Sequence, residues 1–283
     1  MEPLDQGMSD SKNNGRLAGK VAWVSGGNSG IGEAVARLFA AEGASVAVLG
    51  RRIEPGEKIA EAIRADGGNA IALSVDVSDE DQVRSSVEET VEQFGGIDIL
   101  VNNAGMVAVQ PLHESSGDEW DRVMDVNVKS MFHAFRAAYP YLKERERSWV
   151  VNVGSISSFV GQAGTPIYTT SKHAILGLTR SIALDYARDG LRCNCVCPGI
   201  TDTPMLREHL DTTPDPEATL AGRLERVPMG VALTPMDVAK SVLFFSCDDS
   251  SGVTGSSLVI DCGYLTAAEW DSSDGTNFQK PTP

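Results

Sequence analysis

Tyr168 and Lys172 stand four residues apart in the stretch YTTSK. On a helix that spacing puts both on one face, one turn apart. A free tyrosine, with a pKa of ~10, is a poor acid–base group at neutral pH. An ammonium one turn away stabilises the phenolate and makes the hydroxyl a usable proton donor and acceptor. The same pair occurs on ordinary helix surfaces, so it needs companions to carry meaning.

One companion is the stretch SGGNSGIG, with Gly26, Gly30 and Gly32. Such glycines permit a tight turn and let backbone N–H groups approach a pyrophosphate. A helix that follows aims its positive end at that charge. The spacing is G-x-x-x-G-x-G rather than G-x-G-x-x-G, and its weight comes from following the first strand-like run directly. About 20 residues past the glycines, NAD sites carry an acidic residue for the ribose 2′-OH. Gly50, Arg51 and Arg52 stand there instead. A missing carboxylate removes repulsion toward a 2′-phosphate and Arg51 can pair with one, which favours NADP(H), with NAD(H) as the alternative.

RCNCVCPG places Cys193, Cys195 and Cys197 at every second position. On a strand, such residues share one face. Alternate Cα atoms are ~6.5–7 Å apart with parallel Cβ vectors, which is wrong for a disulfide. A zinc site needs about four convergent ligands, and the nearest histidines in sequence, His173 and His209, form no recognisable spacing. The expectation is three small hydrophobes in a core, and no metal.

The elements that must position these residues follow from hydrophobic pattern. Short apolar runs recur at KVAWVSG, SVAVLG, IALSVDV, IDILVNN, WVVNVGS, LRCNCVC and SLVIDCG. Most are continuously apolar, as in parallel strands covered on both faces. Between them lie amphipathic segments such as GEAVARLFAAEG and DEDQVRSSVEETVEQFGG, the second predicted to be capped by Ser78 with Asp81 three residues on. Thr234 should cap a helix that begins with Pro235. The pattern predicts an α/β fold: a doubly wound, Rossmann-like parallel sheet of about seven strands with some six helices on both faces. Residues 1–15 and 271–283 read as flexible tails around one catalytic domain at 16–270. Residues 200–231, after the sixth strand, read as a substrate lid that holds short helices.

NNAG (Asn102 to Gly105), NVGSISS with Ser155, DVNV with Asn127 and CPGITDT (Cys197 to Thr203) fall in order around YTTSK. With the glycine turn, this set resembles the single-domain branch of the short-chain dehydrogenase/reductase family, over about residues 16–268. The resemblance implies an NAD(P)-dependent alcohol dehydrogenase or ketone reductase. Tyr168 would be its acid/base. Lys172 would stabilise the phenolate and bond the nicotinamide ribose. Ser155 would bind the reacting oxygen, and Asn127 would hold a relay water. Cofactor contacts would come from Gly26, Asn28, Ser29, Gly30, Ile31 and Gly32 in the turn. Arg51, Asp76 and Val77 would meet the adenosine end, and Asn102 and Gly105 the ribose side. Pro198, Gly199, Ile200 and Thr203 would meet the nicotinamide and pyrophosphate. Ser155, Ser157, Gln162, Tyr168, Met205 and Leu206, with Phe159, would face the substrate. A glycine common in the family is replaced by Cys262. Family members are mostly homotetramers, some dimers, with the helices around 118–143 and 166–189 in the main interface.

Composition narrows the partners. With 24 basic and 39 acidic residues the net charge is −15, which repels phosphate backbones and anionic lipid, so neither nucleic acid nor membrane is expected. No apolar run approaches the ~20 residues of a membrane span. No basic segment followed by an apolar one marks the N-terminus, and five cysteines are an odd count, so free thiols and a cytoplasmic location are expected. The resemblance implies a small alcohol or ketone as substrate: a sugar, polyol, cyclic alcohol or steroid-like ketone. Two alternatives stay open, a 3-oxoacyl-carrier-protein reductase and a non-catalytic nucleotide-sensing or scaffold protein. The absence of a basic docking cluster weakens the first, and four intact catalytic positions weaken the second.

Overall fold

The structure is a computed structural model that describes residues 15–267. The expected tails at 1–15 and 271–283, Gly15 excepted, lie outside the described residues. Seven parallel strands form one sheet in the order β3-β2-β1-β4-β5-β6-β7. They are β1 (Val21–Val24), β2 (Ser45–Gly50), β3 (Asn69–Ser74), β4 (Ile99–Asn102), β5 (Ser148–Val153), β6 (Leu191–Pro198) and β7 (Ser257–Ile260). The strands read as unbroken apolar runs because both faces are covered. Ala22, Val24, Val46 and Val48 face one layer, while Trp23, Ala47 and Leu49 face the other.

The first layer holds α1 (Gly30–Ala41), α2 (Ile53–Ala65) and α9 (Pro235–Phe244), with Phe39, Ile59 and Val242 packed on the sheet. The second holds α3 (Glu80–Phe94), α5 (Ser130–Leu142) and α6 (Pro166–Asp185), with Val87, Phe135 and Ile182. The order in which the chain adds strands reverses between β1 and β4. Their carboxyl ends therefore open a crevice where an α/β sheet takes its ligand. The 200–231 segment carries α7 (Pro204–Leu210) and α8 (Pro216–Leu224), the short helices expected there.

One local expectation needs correction. The cap of α3 is Asp79, whose side chain accepts from the N–H groups of Asp81 and Gln82, and not Ser78. Ser78 instead donates its hydroxyl to Asp76 Oδ1 at 2.6 Å. The helical run that holds Asn127 is not a regular α-helix throughout. Between α4 (Gly117–Met124) and α5 the residues Asp125–Lys129 form a π-turn. Thr234 caps α9 as expected, with Asp237 bonding back to it.

Cys193, Cys195 and Cys197 are fully buried on one face of β6. Burial pushes the Cys193 thiol up. Cys195 Sγ and Cys197 Sγ touch at 3.5 Å without a bond between them. Among the described residues, no cluster of three or more histidine, cysteine or acidic side chains is arranged to hold a metal.

Candidate active site

β5 ends at Val153, Gly154 follows, and Ser155 caps a single 3₁₀ turn, Ile156–Ser158. Its Oγ accepts from the Ser157 N–H at 3.1 Å, and its own N–H donates to Ser158 Oγ at 3.2 Å. Ser155 is thereby fixed at the carboxyl edge of the sheet rather than free on a loop. Gly154 has no alternative, because a β-carbon there would stand 2.9 Å from Cys195 Sγ and 3.0 Å from Cys197 Sγ.

Tyr168 sits in the first turn of α6, behind Pro166 at its start. One turn on, Lys172 is buried, with its Nζ 5.5 Å from the centre of the Tyr168 ring. That Nζ donates to the Val153 carbonyl at 2.9 Å, which ties the helix to the end of β5. An ammonium carries three donors. Two remain for other partners, and Nζ lies 3.8 Å from where a β-carbon on Gly105 would stand.

Asn127 is fully buried in the π-turn. Its Oδ1 accepts from the Met106 N–H at 2.8 Å, and its Nδ2 donates to the Met106 carbonyl and to Ser171 Oγ, each at 2.9 Å. Both amide hydrogens are therefore committed. A single π-turn inside an α-helix is a frequent mark of a functional position.

At the other end of the crevice, Gly26 and Gly30 hold φ of 61° and 54°. A β-carbon on Gly32 would lie 2.0 Å from the Gly26 carbonyl. Ser29 starts α1 without a side-chain cap, so the N–H groups of the first turn, Ile31 among them, face the crevice without a side-chain partner. Asn28 Nδ2 donates to the Arg52 carbonyl at 3.1 Å and ties this turn to the end of β2. A β-carbon on Gly50 would meet that Asn28 amide at 2.2 Å. Arg51 is exposed and makes no ion pair among the described residues. The Ser78 hydroxyl holds the Asp76 carboxyl below its usual range, with a smaller contribution from Arg51. Val77 is buried beside it. This glycine cradle, with a free helix N-terminus and an exposed cation at its far end, fits a dinucleotide's pyrophosphate and ribose.

Pro198 closes β6, and Gly199 passes so near Asp261 that a β-carbon would lie 2.8 Å from its Cα. Ile200 accepts from the Leu233 N–H at 2.8 Å. Thr203 caps α7, its Cβ 3.4 Å from where a β-carbon on Gly30 would stand, so the 200–231 segment meets the glycine turn. Ser157 donates to Gln162 Oε1 at 2.9 Å. Phe159 and Met205 are exposed and Leu206 is half-buried. Asn102 lies apart: its buried amide donates to Asn152 Oδ1 at 2.8 Å, so its side chain enters the sheet rather than the crevice. Between α7 and α8 a cavity of about 250 Å³, lined in part by Leu210, Leu220 and Leu224, touches none of Asn127, Ser155, Tyr168 and Lys172.

Sequence reasoning passed over Asn103. Its amide donates to the carbonyls of Ser25 and Gly26 at 3.0 and 3.1 Å and holds the glycine turn against β4. The second asparagine of NNAG was the available signal. Asn152, which donates on to Thr179 Oγ1 at 2.9 Å, and Ser171 were also passed over.

Comparison with known proteins agrees with this geometry. The family model described as enoyl-(acyl carrier protein) reductase matches residues 26–265. The 2-(R)-hydroxypropyl-CoM dehydrogenase of Xanthobacter autotrophicus is 39% identical over 87% of this chain and 98% of its own. The chain belongs to the short-chain dehydrogenase/reductase family. The cyclopentanol dehydrogenase of a Comamonas species is 37% identical over 88% of this short-chain dehydrogenase/reductase and 98% of its own length. A solved structure of a putative NAD(P)-dependent gluconate 5-dehydrogenase from Beutenbergia cavernae, with NADP at low occupancy, superposes with a TM-score of 0.83. It is 32% identical and covers 89% of this chain and 98% of its own. This short-chain dehydrogenase/reductase is thus a nicotinamide-dependent oxidoreductase of the alcohol–ketone type. None of its described helices is long and apolar enough to cross a membrane.

Proposed function

We propose that this enzyme prefers NADP(H) and interconverts small secondary alcohols and ketones, with Tyr168 as acid/base. The supporting observation is the convergence of Ser155, Tyr168, Lys172 and Asn127 at one end of a crevice whose other end is a glycine cradle. When bound, the nicotinamide supplies or takes up the hydride. The Ser155 hydroxyl holds the reacting oxygen. In reduction, Tyr168 donates its hydroxyl proton to that oxygen; in oxidation it takes the proton back. Lys172 keeps one donor on Val153 and uses the other two for the ribose and for a relay water. Asn127 has spent both side-chain N–H donors, on Met106 and Ser171, and would hold that water as an acceptor.

Gly26, Asn28, Ser29, Gly30, Ile31 and Gly32 would cradle the pyrophosphate, and Asp76 and Val77 the adenine. Gly105, Pro198, Gly199, Ile200 and Thr203 would line the nicotinamide half. Ser157, Gln162, Met205 and Leu206 would face the substrate. Residues 16–270 would form one catalytic domain, with 200–231 as its lid. Phe132 and Leu184, exposed on α5 and α6, support a dimer face within a homotetramer. The charge and the lack of a long apolar helix among the described residues support a cytoplasmic location.

The test is parallel titration with NADPH and NADH, followed by nicotinamide fluorescence, on the wild type and Arg51→Asp. Tighter NADPH binding, lost selectively in the variant, supports the reading. Equal losses for both cofactors reduce Arg51 to a surface charge. Binding of neither cofactor overturns the enzyme reading.

A further inference from the structure

The loops that follow β4, β5 and β6 leave the same carboxyl edge of the sheet as Ser155, and they carry exposed hydrocarbon. Val109 is 49% exposed, Phe159 41%, Val160 39% and Met205 41%. The first two loops meet, since Val109 Cγ1 stands 3.9 Å from where a β-carbon on Gly164 would be. Large apolar side chains left in water on the walls of a concave site mark a surface that is covered when the ligand binds.

The same loops carry more negative than positive charge, and in the loop after β4 the one basic side chain, His113, sits beside Glu114. Residues 154–165 contain no lysine, arginine or histidine. In the 200–231 segment Arg207 is held by both oxygens of Asp202 at 2.7 Å. Arg223 lies 2.6 Å from His209 Nε2, and Arg226 lies over the Tyr264 ring. Those three arginines face six carboxylates in the segment, so the wall carries net negative charge. An anionic substrate would enter against that field.

We propose that the mouth formed by Val109, Phe159, Val160 and Met205 selects an uncharged ketone or secondary alcohol with a hydrocarbon body and turns away substrates that carry a carboxylate or phosphate. This rests on the Tyr168 reading above. The test is reduction of a matched set: cyclohexanone, 4-oxocyclohexanecarboxylate and fructose, with both NADPH and NADH. Cyclohexanone should exceed the other two in kcat/KM by about a hundredfold. Comparable or better turnover of the carboxylate or of fructose overturns this inference and leaves Tyr168 in its role. Turnover of none of the three also overturns it, and nicotinamide binding then decides the reading beneath it. Phe159→Ala and Met205→Ala should raise KM for cyclohexanone about tenfold, more than they lower kcat. Met205→Lys should raise kcat/KM for the carboxylate. An unchanged KM in both alanine variants removes these side chains from the site.

Discussion

Asn127→Ala separates anchorage from chemistry. The amide makes three hydrogen bonds, two of them to the backbone of Met106 and one to Ser171. Ser171 survives the change, because its hydroxyl still donates to the Tyr168 carbonyl at 2.7 Å. The Met106 N–H and carbonyl lose the partner shared by both. An orphaned buried polar group costs about 1–3 kcal/mol, so two give about 2–6 kcal/mol. Met106 is only half-buried and water reaches part of the gap, which places the loss near about 2–3 kcal/mol. For a chain of this size that lowers the thermal midpoint by about 5–10 °C. The assay is thermal unfolding, with kcat measured well below the variant's midpoint. Activity should fall as well, since the loop that carries Gly105 and Met106 then drifts from Lys172. Lost activity with a midpoint lowered by less than about 2 °C would refute the reasoning. The side chain would then act on the reaction and not on the loop.

Tyr168→Phe should reduce kcat by at least about 10²–10⁴-fold, with nicotinamide affinity within about twofold, because only the proton donor is removed; undiminished kcat sinks the mechanism. Cys262 holds a φ of 55°, a left-handed conformation that strains any residue with a β-carbon. Cys262→Gly should therefore raise the denaturant midpoint by the equivalent of about 0.5–1 kcal/mol, and a lower midpoint would mean its packing outweighs the strain. The Ser78 hydroxyl depresses the Asp76 pKa. A depressed carboxyl contributes stability above its unfolded value and loses it as pH falls through the folded one. Ser78→Ala should lower the unfolding midpoint at neutral pH, and the gap should close below about pH 4. A gap independent of pH would assign the loss to packing.

The strands were legible because burial on both faces forces continuous apolar runs: Trp23 and Val24 are neighbours in sequence and belong to opposite layers. The cap of α3 was misplaced by one residue. Ser78 and Asp79 both suit a cap, and sequence does not tell which one is engaged elsewhere. A hydroxyl donates and a carboxylate only accepts, so Ser78 pairs with Asp76 and Asp79 is left for the helix. The π-turn at Asp125–Lys129 had no sequence signal, since its stabilising contacts come from Met106 and Ser171, 21 and 44 residues from Asn127. The direction of Asn102 was readable and went unread. It lies two residues past Leu100, which faces the α3–α5–α6 layer, so strand alternation sends the amide into that layer.

Three polar connections reach α6 from different directions. Asn102 and Asn152 pass a hydrogen bond to Thr179, Asn127 reaches Ser171, and Lys172 reaches the carbonyl of Val153. Hydrophobic packing of α6 on the sheet resists separation, but the hydrophobic effect is non-directional and by itself discriminates weakly against small slides. A hydrogen bond in a dry interior is directional, and a displaced one leaves both partners without water. Three of them along one helix therefore fix its position along and around its own axis. That matters because a 1 Å error in a reacting group costs about a hundredfold in rate. The buried asparagines therefore do more than add stability: with Lys172 they set where α6, and Tyr168 on it, stands against the end of β5.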